Sequence, residues 1–228
     1  MSCVQGVENV DSGKSGDSGA LLRGVTDCIP WLFLYVLLAV VFLALGATGV
    51  DALDLFRDPA ELSRLRLPPW EGSLSLLGYM IWIAASTACL LTVAAVRHRR
   101  SSERVEFLAA TGLIALLFGL DDALLLHENL ADRFVGSSGG GVGVLVPYAV
   151  AILAWAYRYR GEILASRLGL VFAAGLGFAG SLVLEFWPFL AQLPRADLLE
   201  EVLELGGVVM FAIYCVSESY RELVLSAE

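Results

Sequence analysis

Long apolar runs separated by short polar connections dominate this chain. Six stretches stand out: Trp31–Val50, Ser73–Val96, Val105–His127, Val144–Tyr159, Leu168–Leu190 and Leu198–Val216. A helix on the surface of a soluble domain shows a polar face at helical spacing. These runs instead keep all their faces apolar over much of their length. Roughly 20 apolar residues cross a hydrocarbon layer of about 30 Å, so each run is long enough, or nearly so, to span a membrane. The pattern predicts an all-α, polytopic integral membrane protein, with six transmembrane helices in one bundle.

The polar connections set the orientation. Arg97, Arg99, Arg100 and Arg104 lie between the second and third runs, and Arg158, Arg160 and Arg167 between the fourth and fifth. The other side has Arg57, Arg64 and Arg66 in one longer loop, then only Arg133 and Arg195. Arginine-rich short loops stay in the cytoplasm. Both termini are therefore expected inside, and the protein is expected in the plasma (inner) membrane. Residues 1–29 are Ser- and Gly-rich and read as a flexible tail with no signal-peptide pattern. Residues 30–220 form the membrane domain, and 221–228 a short C-terminal tail. Small residues (Ala173, Ala174, Gly175, Gly177 and Gly180 in the fifth run, Gly206 and Gly207 in the sixth) predict close packing of those two helices.

Composition agrees with the hydropathy pattern: 57% of residues are hydrophobic. The net charge of −9 argues against nucleic acid as a partner, because nucleic-acid binding needs basic patches. The bilayer is the implied partner, with other membrane subunits or a homo-oligomer as further candidates. The cysteines, Cys3, Cys28, Cys89 and Cys215, follow no metal-ligand or CxxC spacing and read as small buried residues or free thiols.

Candidate chemistry concentrates where three runs reach the outer side. The third run ends Gly-Leu-Asp121-Asp122-Ala-Leu-Leu-Leu-His127-Glu128. At 1.5 Å per residue Asp121 lies roughly 24 Å up from Val105, still below the outer boundary. Glu185 comes late in the fifth run, just before the aromatic group Phe186, Trp187 and Phe189. The sixth run starts with Asp197, Glu200, Glu201 and Glu204, which share roughly a 100° arc of a helix. Ionisable groups at this depth are costly and mark functional positions.

Several carboxylates in one low-dielectric cavity need protons, water or a cation. The expected site is one divalent cation held by Asp121, Asp122, Glu200, Glu201 and Glu204, supported by Glu185, His127 and Glu128. Oxygen ligands suit Ca²⁺, Mg²⁺ or Mn²⁺, and His127 would admit Zn²⁺. In an enzyme the metal would activate water, with Glu204 as general base. The alternatives are a cation or proton channel or transporter using the same carboxylates, and an accessory subunit whose acids meet a partner's basic groups. The inner halves of the third, fifth and sixth runs carry few polar residues beyond Thr111, which favours a one-sided site over a through-pathway.

Overall fold

In the computed structural model every regular element among the described residues is helical. The structure describes residues 71–99, 101–124, 140–187, 189–192 and 195–227, together with 52–57 and scattered positions between 33 and 68. The helices are α1 (Ser73–Val96), α2 (Ser102–Leu124), α3 (Gly140–Arg158), α4 (Arg160–Leu164), α5 (Leu168–Phe186) and α6 (Ala196–Ala227). Short 3-10 turns lie at Ala52–Phe56 and Leu190–Gln192, and the described positions between 33 and 44 are helical.

Three helices among the described residues, α1, α2 and α5, are long and apolar enough to cross a membrane, rather than the expected six. The first run falls largely outside the described residues. The sixth run corresponds to α6, which extends well beyond Val216 in a single 32-residue helix and carries carboxylates at both ends. Residues 221–226, expected as a tail, are therefore helix. Two smaller differences follow from local chemistry. The fifth run stops at Phe186, two residues before Pro188, because the residue preceding proline disfavours helical geometry. The loop expected at 158–167 holds the short helix α4.

Burial is inverted relative to a soluble domain. Met80 is 63% exposed, Leu91 65% and Leu153 68%, whereas Arg104, Glu218 and Glu222 are buried. Large apolar side chains facing outward along helices are what a hydrocarbon solvent accepts and water does not.

Close approach at glycines organises the packing. α1 and α2 form an antiparallel hairpin. A Cβ at Gly112 would lie 2.9 Å from Cys89 Cβ, and one at Gly119 would lie 2.7 Å from Trp82 Cβ. The expected α5–α6 pairing is present: a Cβ at Gly180 would lie 3.0 Å from Leu203 Cδ1, and one at Gly207 would lie 3.0 Å from the Phe178 ring. Tyr35 fits the groove over Gly177 and Gly206 and donates its hydroxyl to Ala173 O at 3.0 Å. Small side chains let helices approach until dispersion contacts and buried hydrogen bonds hold them, which is the main source of association in lipid.

α1 is central to the arrangement. It packs along both α2 and α6, while α2 and α6 touch each other little. Its Trp82 is 2% exposed and stacks on Phe118 of α2 (5.5 Å between ring centroids) and on Phe178 of α5 (6.0 Å). Phe211 of α6 tilts against the same ring at 5.7 Å. Trp155 and Phe107 extend this aromatic core toward the α1–α2 turn.

Candidate functional site

Helix direction sorts the charged side chains to two ends of the bundle. α2 and α5 run from the arginine-bearing turns toward Asp121 and Glu185, and α6 runs back from Asp197 to Glu222. One end is therefore acidic and the other carries most of the described arginines.

At the acidic end α2 continues through Asp121 and Asp122 to Leu124, so both aspartates are helical. Asp121 is buried and accepts the Tyr148 hydroxyl at 2.6 Å. Asp122 accepts the indole N–H of Trp82 at 2.9 Å. α3 and α1 thus each donate a hydrogen bond to one of the two carboxylates. Both donors are amphipathic aromatics, able to bury a ring and still satisfy a polar tip.

The second acidic group belongs to α5 and α6. Glu185 lies at the end of α5, and Asp197, Glu200, Glu201 and Glu204 lie in the first turns of α6. Glu200, Glu201 and Glu204 are half-buried, and Glu185 and Asp197 are exposed. Arg195 lies immediately ahead, in the left-handed backbone region at φ 63°, and its carbonyl accepts the Leu199 N–H that opens α6. Non-glycine residues adopt that conformation only where surrounding structure enforces it.

Two of the acids expected at the site have described partners on other helices. Asp121 and Asp122 bond to Tyr148 and Trp82, while the α6 acids gather with Glu185. His127 and Glu128 lie outside the described residues. Among the described residues no three His, Cys, Asp or Glu side chains are grouped to hold a metal ion.

The opposite end holds a cluster that the sequence reading missed. Arg104, expected as a loop residue, sits in the first turn of α2 with its side chain 9% exposed. Its guanidinium reaches three carboxylates: Nη2 to Glu218 Oε2 at 2.6 Å, Nε to Glu222 Oε1 at 2.9 Å and Nη1 to Glu162 Oε2 at 2.9 Å. Its Cζ lies 5.0 Å from the Phe107 ring centroid. The planar five-donor group suits this task, since a lysine could not fork toward three partners in fixed directions. Glu218 also accepts the backbone N–H of Arg167 at 3.4 Å, so the cluster joins α2, α4, the start of α5 and α6.

Around it, Arg99 donates to Ser226 O at 3.1 Å and Arg221 to Ala165 O at 3.2 Å. Next to the cluster is a cleft of about 350 Å³ lined by Arg99, Ser101, Arg104, Glu162, Arg221 and Glu222. A usable sequence signal existed: Glu218 and Glu222 are four apart and share a helical face. It lay hidden because falling hydropathy ended the sixth run at Val216.

Between the two ends the buried polar groups serve neighbours. Thr111 donates to Phe107 O at 2.8 Å and accepts the Trp155 indole N–H at 3.0 Å. Ser166 and Tyr214 share a hydrogen bond of 3.0 Å. Cys89 and Cys215, both buried, face one another across α1 and α6, with Ser219 donating to Cys89 Sγ at 3.7 Å.

No curated protein and no solved structure matches this chain. A family model described as a domain of unknown function (DUF8692) matches residues 31–217, which is most of the chain, and the protein belongs to that family.

Proposed function

We propose that this protein is an integral membrane protein that draws cations to its acidic end, with the Glu185, Asp197, Glu200 and Glu204 group as the point of contact. The observation that carries this reading is the placement of Glu185 at the end of α5 and of Asp197, Glu200 and Glu204 in the first turns of α6, at one end of the bundle. In this reading the arginine-bearing turns face the cytoplasm and the acidic end faces out, the six-run topology holds, and the membrane is the plasma membrane. A concentration of negative charge at a low-dielectric rim raises the local level of counter-ions without a fully enclosed ligand set. The aromatic core around Trp82 lies between the acidic end and the arginine cluster, which supports a one-sided site over a channel or transporter.

The test is thermal unfolding of the detergent-purified protein titrated with Ca²⁺, Mg²⁺, Mn²⁺ and Zn²⁺, alongside Glu200→Gln and Glu204→Gln variants. A cation bound only by the folded state stabilises by about 2.7 kcal/mol at a hundredfold excess over Kd. Saturable stabilisation by at least one divalent ion, weakened in both variants, supports the reading. No cation-dependent shift in the native protein overturns it.

A second reading is an accessory subunit. It is favoured by α3, which turns Val146, Val150 and Leu153 outward from the described helices. Recovery of a stoichiometric partner through cross-links placed on α3 would support it over the first.

A further inference from the structure

The cleft at the arginine end is assigned no role by the acidic-end reading, and its chemistry is distinct. Arg99, Arg104 and Arg221 supply guanidinium groups and Glu162 and Glu222 supply carboxylates, with Glu218 beneath them on Arg104. The lining thus carries both signs, three guanidiniums and two carboxylates. A purely anionic ligand would meet the carboxylates, and a purely cationic one would meet the guanidiniums. A ligand carrying both signs a few bonds apart satisfies each set at once.

The arrangement also separates the groups. Arg104 is committed to three carboxylates and lies at the floor, 9% exposed, whereas the side chain of Arg221 is 50% exposed and Arg99 is exposed at the rim. Each of these two outer guanidiniums has five N–H donors; Arg99 Nη1 bonds Ser226 O, and Arg221 Nη1 bonds Ala165 O and lies 3.7 Å from Glu218 Oε2, so each engages one nitrogen. Such forks bind the oxygens of phosphate in pairs. Glu162, with its side chain 25% exposed, gives Arg104 one oxygen, and a carboxylate has about four acceptor positions. A primary ammonium with three N–H donors matches such acceptors, while a trimethylated ammonium has none to offer.

The cleft volume, about 350 Å³, is at the small end of ligand sites and suits a polar headgroup. The position fits as well. The cleft adjoins the α1–α2 turn, where two apolar helices end at Val96 and begin at Ser102, the level at which headgroups flank hydrocarbon.

We propose that this cleft binds a zwitterionic phosphoethanolamine group, its phosphate on Arg99 and Arg221 and its primary ammonium on Glu162. The group can be presented by a lipid headgroup or by a free small molecule. The headgroup source rests on the membrane reading above, whereas the site does not depend on the acidic-end cation.

The test is native mass spectrometry of the full chain released from detergent in the presence of phosphatidylethanolamine, phosphatidylcholine or phosphatidylglycerol, with O-phosphoethanolamine as the free form. Retention of one phosphatidylethanolamine roughly tenfold more strongly than either other lipid is the expected result. Glu162→Gln and Arg221→Gln should each reduce retention at least about fivefold, with Arg99→Gln as the second phosphate-side variant if Arg221→Gln does not fold. Displacement by O-phosphoethanolamine would identify a free ligand as sufficient, and retention despite it would identify the lipid. Equal retention of all three lipids with no binding of O-phosphoethanolamine, or folded variants that bind as the native protein does, would overturn the proposal.

Discussion

Arg104 Nη2 lies 2.6 Å from Glu218 Oε2, joining the first turn of α2 to the last third of α6 across 114 residues of sequence. Both side chains are nearly sealed from solvent, at 9% and 2% exposure. A charge removed from such a pair leaves its partner buried without compensation. Arg104→Met is expected to destabilise the protein by about 3–5 kcal/mol. Removing the matching acids with it, in Arg104→Met/Glu218→Leu/Glu222→Leu, should cost less than the single change, because the buried charges leave together. Denaturant unfolding in detergent measures both, and a triple variant less stable than the single one would refute the account.

Gly119 and Gly175 give opposite expectations from the same substitution. A Cβ at Gly119 would lie 2.7 Å from Trp82 Cβ, an atom that moves only with its backbone. Gly119→Ala should separate α1 from α2 and cost about 1–3 kcal/mol. At Gly175 an added Cβ meets nothing within 4 Å, and alanine is the better helix former by about 1 kcal/mol, so Gly175→Ala should be neutral or stabilising. The same unfolding measurement checks the pair.

The outward apolar faces give a direct test of membrane insertion. Leu91 and Leu153 are 65% and 68% exposed, on α1 and α3. If those faces meet lipid, arginine there is costly, by roughly 2.5–3.5 kcal/mol of insertion free energy at a helix centre and less toward its ends. Leu91→Arg and Leu153→Arg should therefore lower the membrane-integrated fraction recovered after carbonate extraction. If the faces met water, both variants would be recovered unchanged or with better solubility.

Cys89 and Cys215 are each fully buried between α1 and α6. Thiols react as exposed thiolates, so the folded protein should take up a maleimide on no more than two of its four cysteines. Denaturation should release the remainder. Rapid labelling of all four in the native state, counted by intact mass, would show that the α1–α6 interface opens readily.

Tyr35 Oη donates to Ala173 O while its ring lies over Gly177 and Gly206. Tyr35→Phe keeps the ring and loses the hydrogen bond, which should cost about 1 kcal/mol. Tyr35→Ala also empties the groove and should cost on the order of 3–5 kcal/mol. Similar losses for the two variants would mean that the hydroxyl, rather than the ring, secures this segment.

The helical class, the approximate limits of α1, α2 and α5, and the α5–α6 pairing were legible in the chain by itself. Length and hydropathy decide whether a segment can satisfy its backbone in an apolar medium, and both are local properties. The small residues at Gly177, Gly180, Gly206 and Gly207 likewise mark close contact wherever the partner lies. The concentration of acids at one end could also be read, because helix direction alone places Asp121, Glu185 and Glu204 there.

Which donors the two aspartates meet was decided by tertiary structure. Helical spacing puts Asp121 and Glu204 at similar heights, but height does not fix the neighbour. The packing of α1 along both α2 and α6 sets Trp82 against Phe118 and Phe211 and gives Asp122 an indole donor. Arg104 makes the same point at the other end. Counted by sequence it is one more loop arginine. It becomes the centre of a buried ionic cluster only because α6 runs past Val216 and returns Glu218 and Glu222 to it, a contact between distant segments that no local pattern contains.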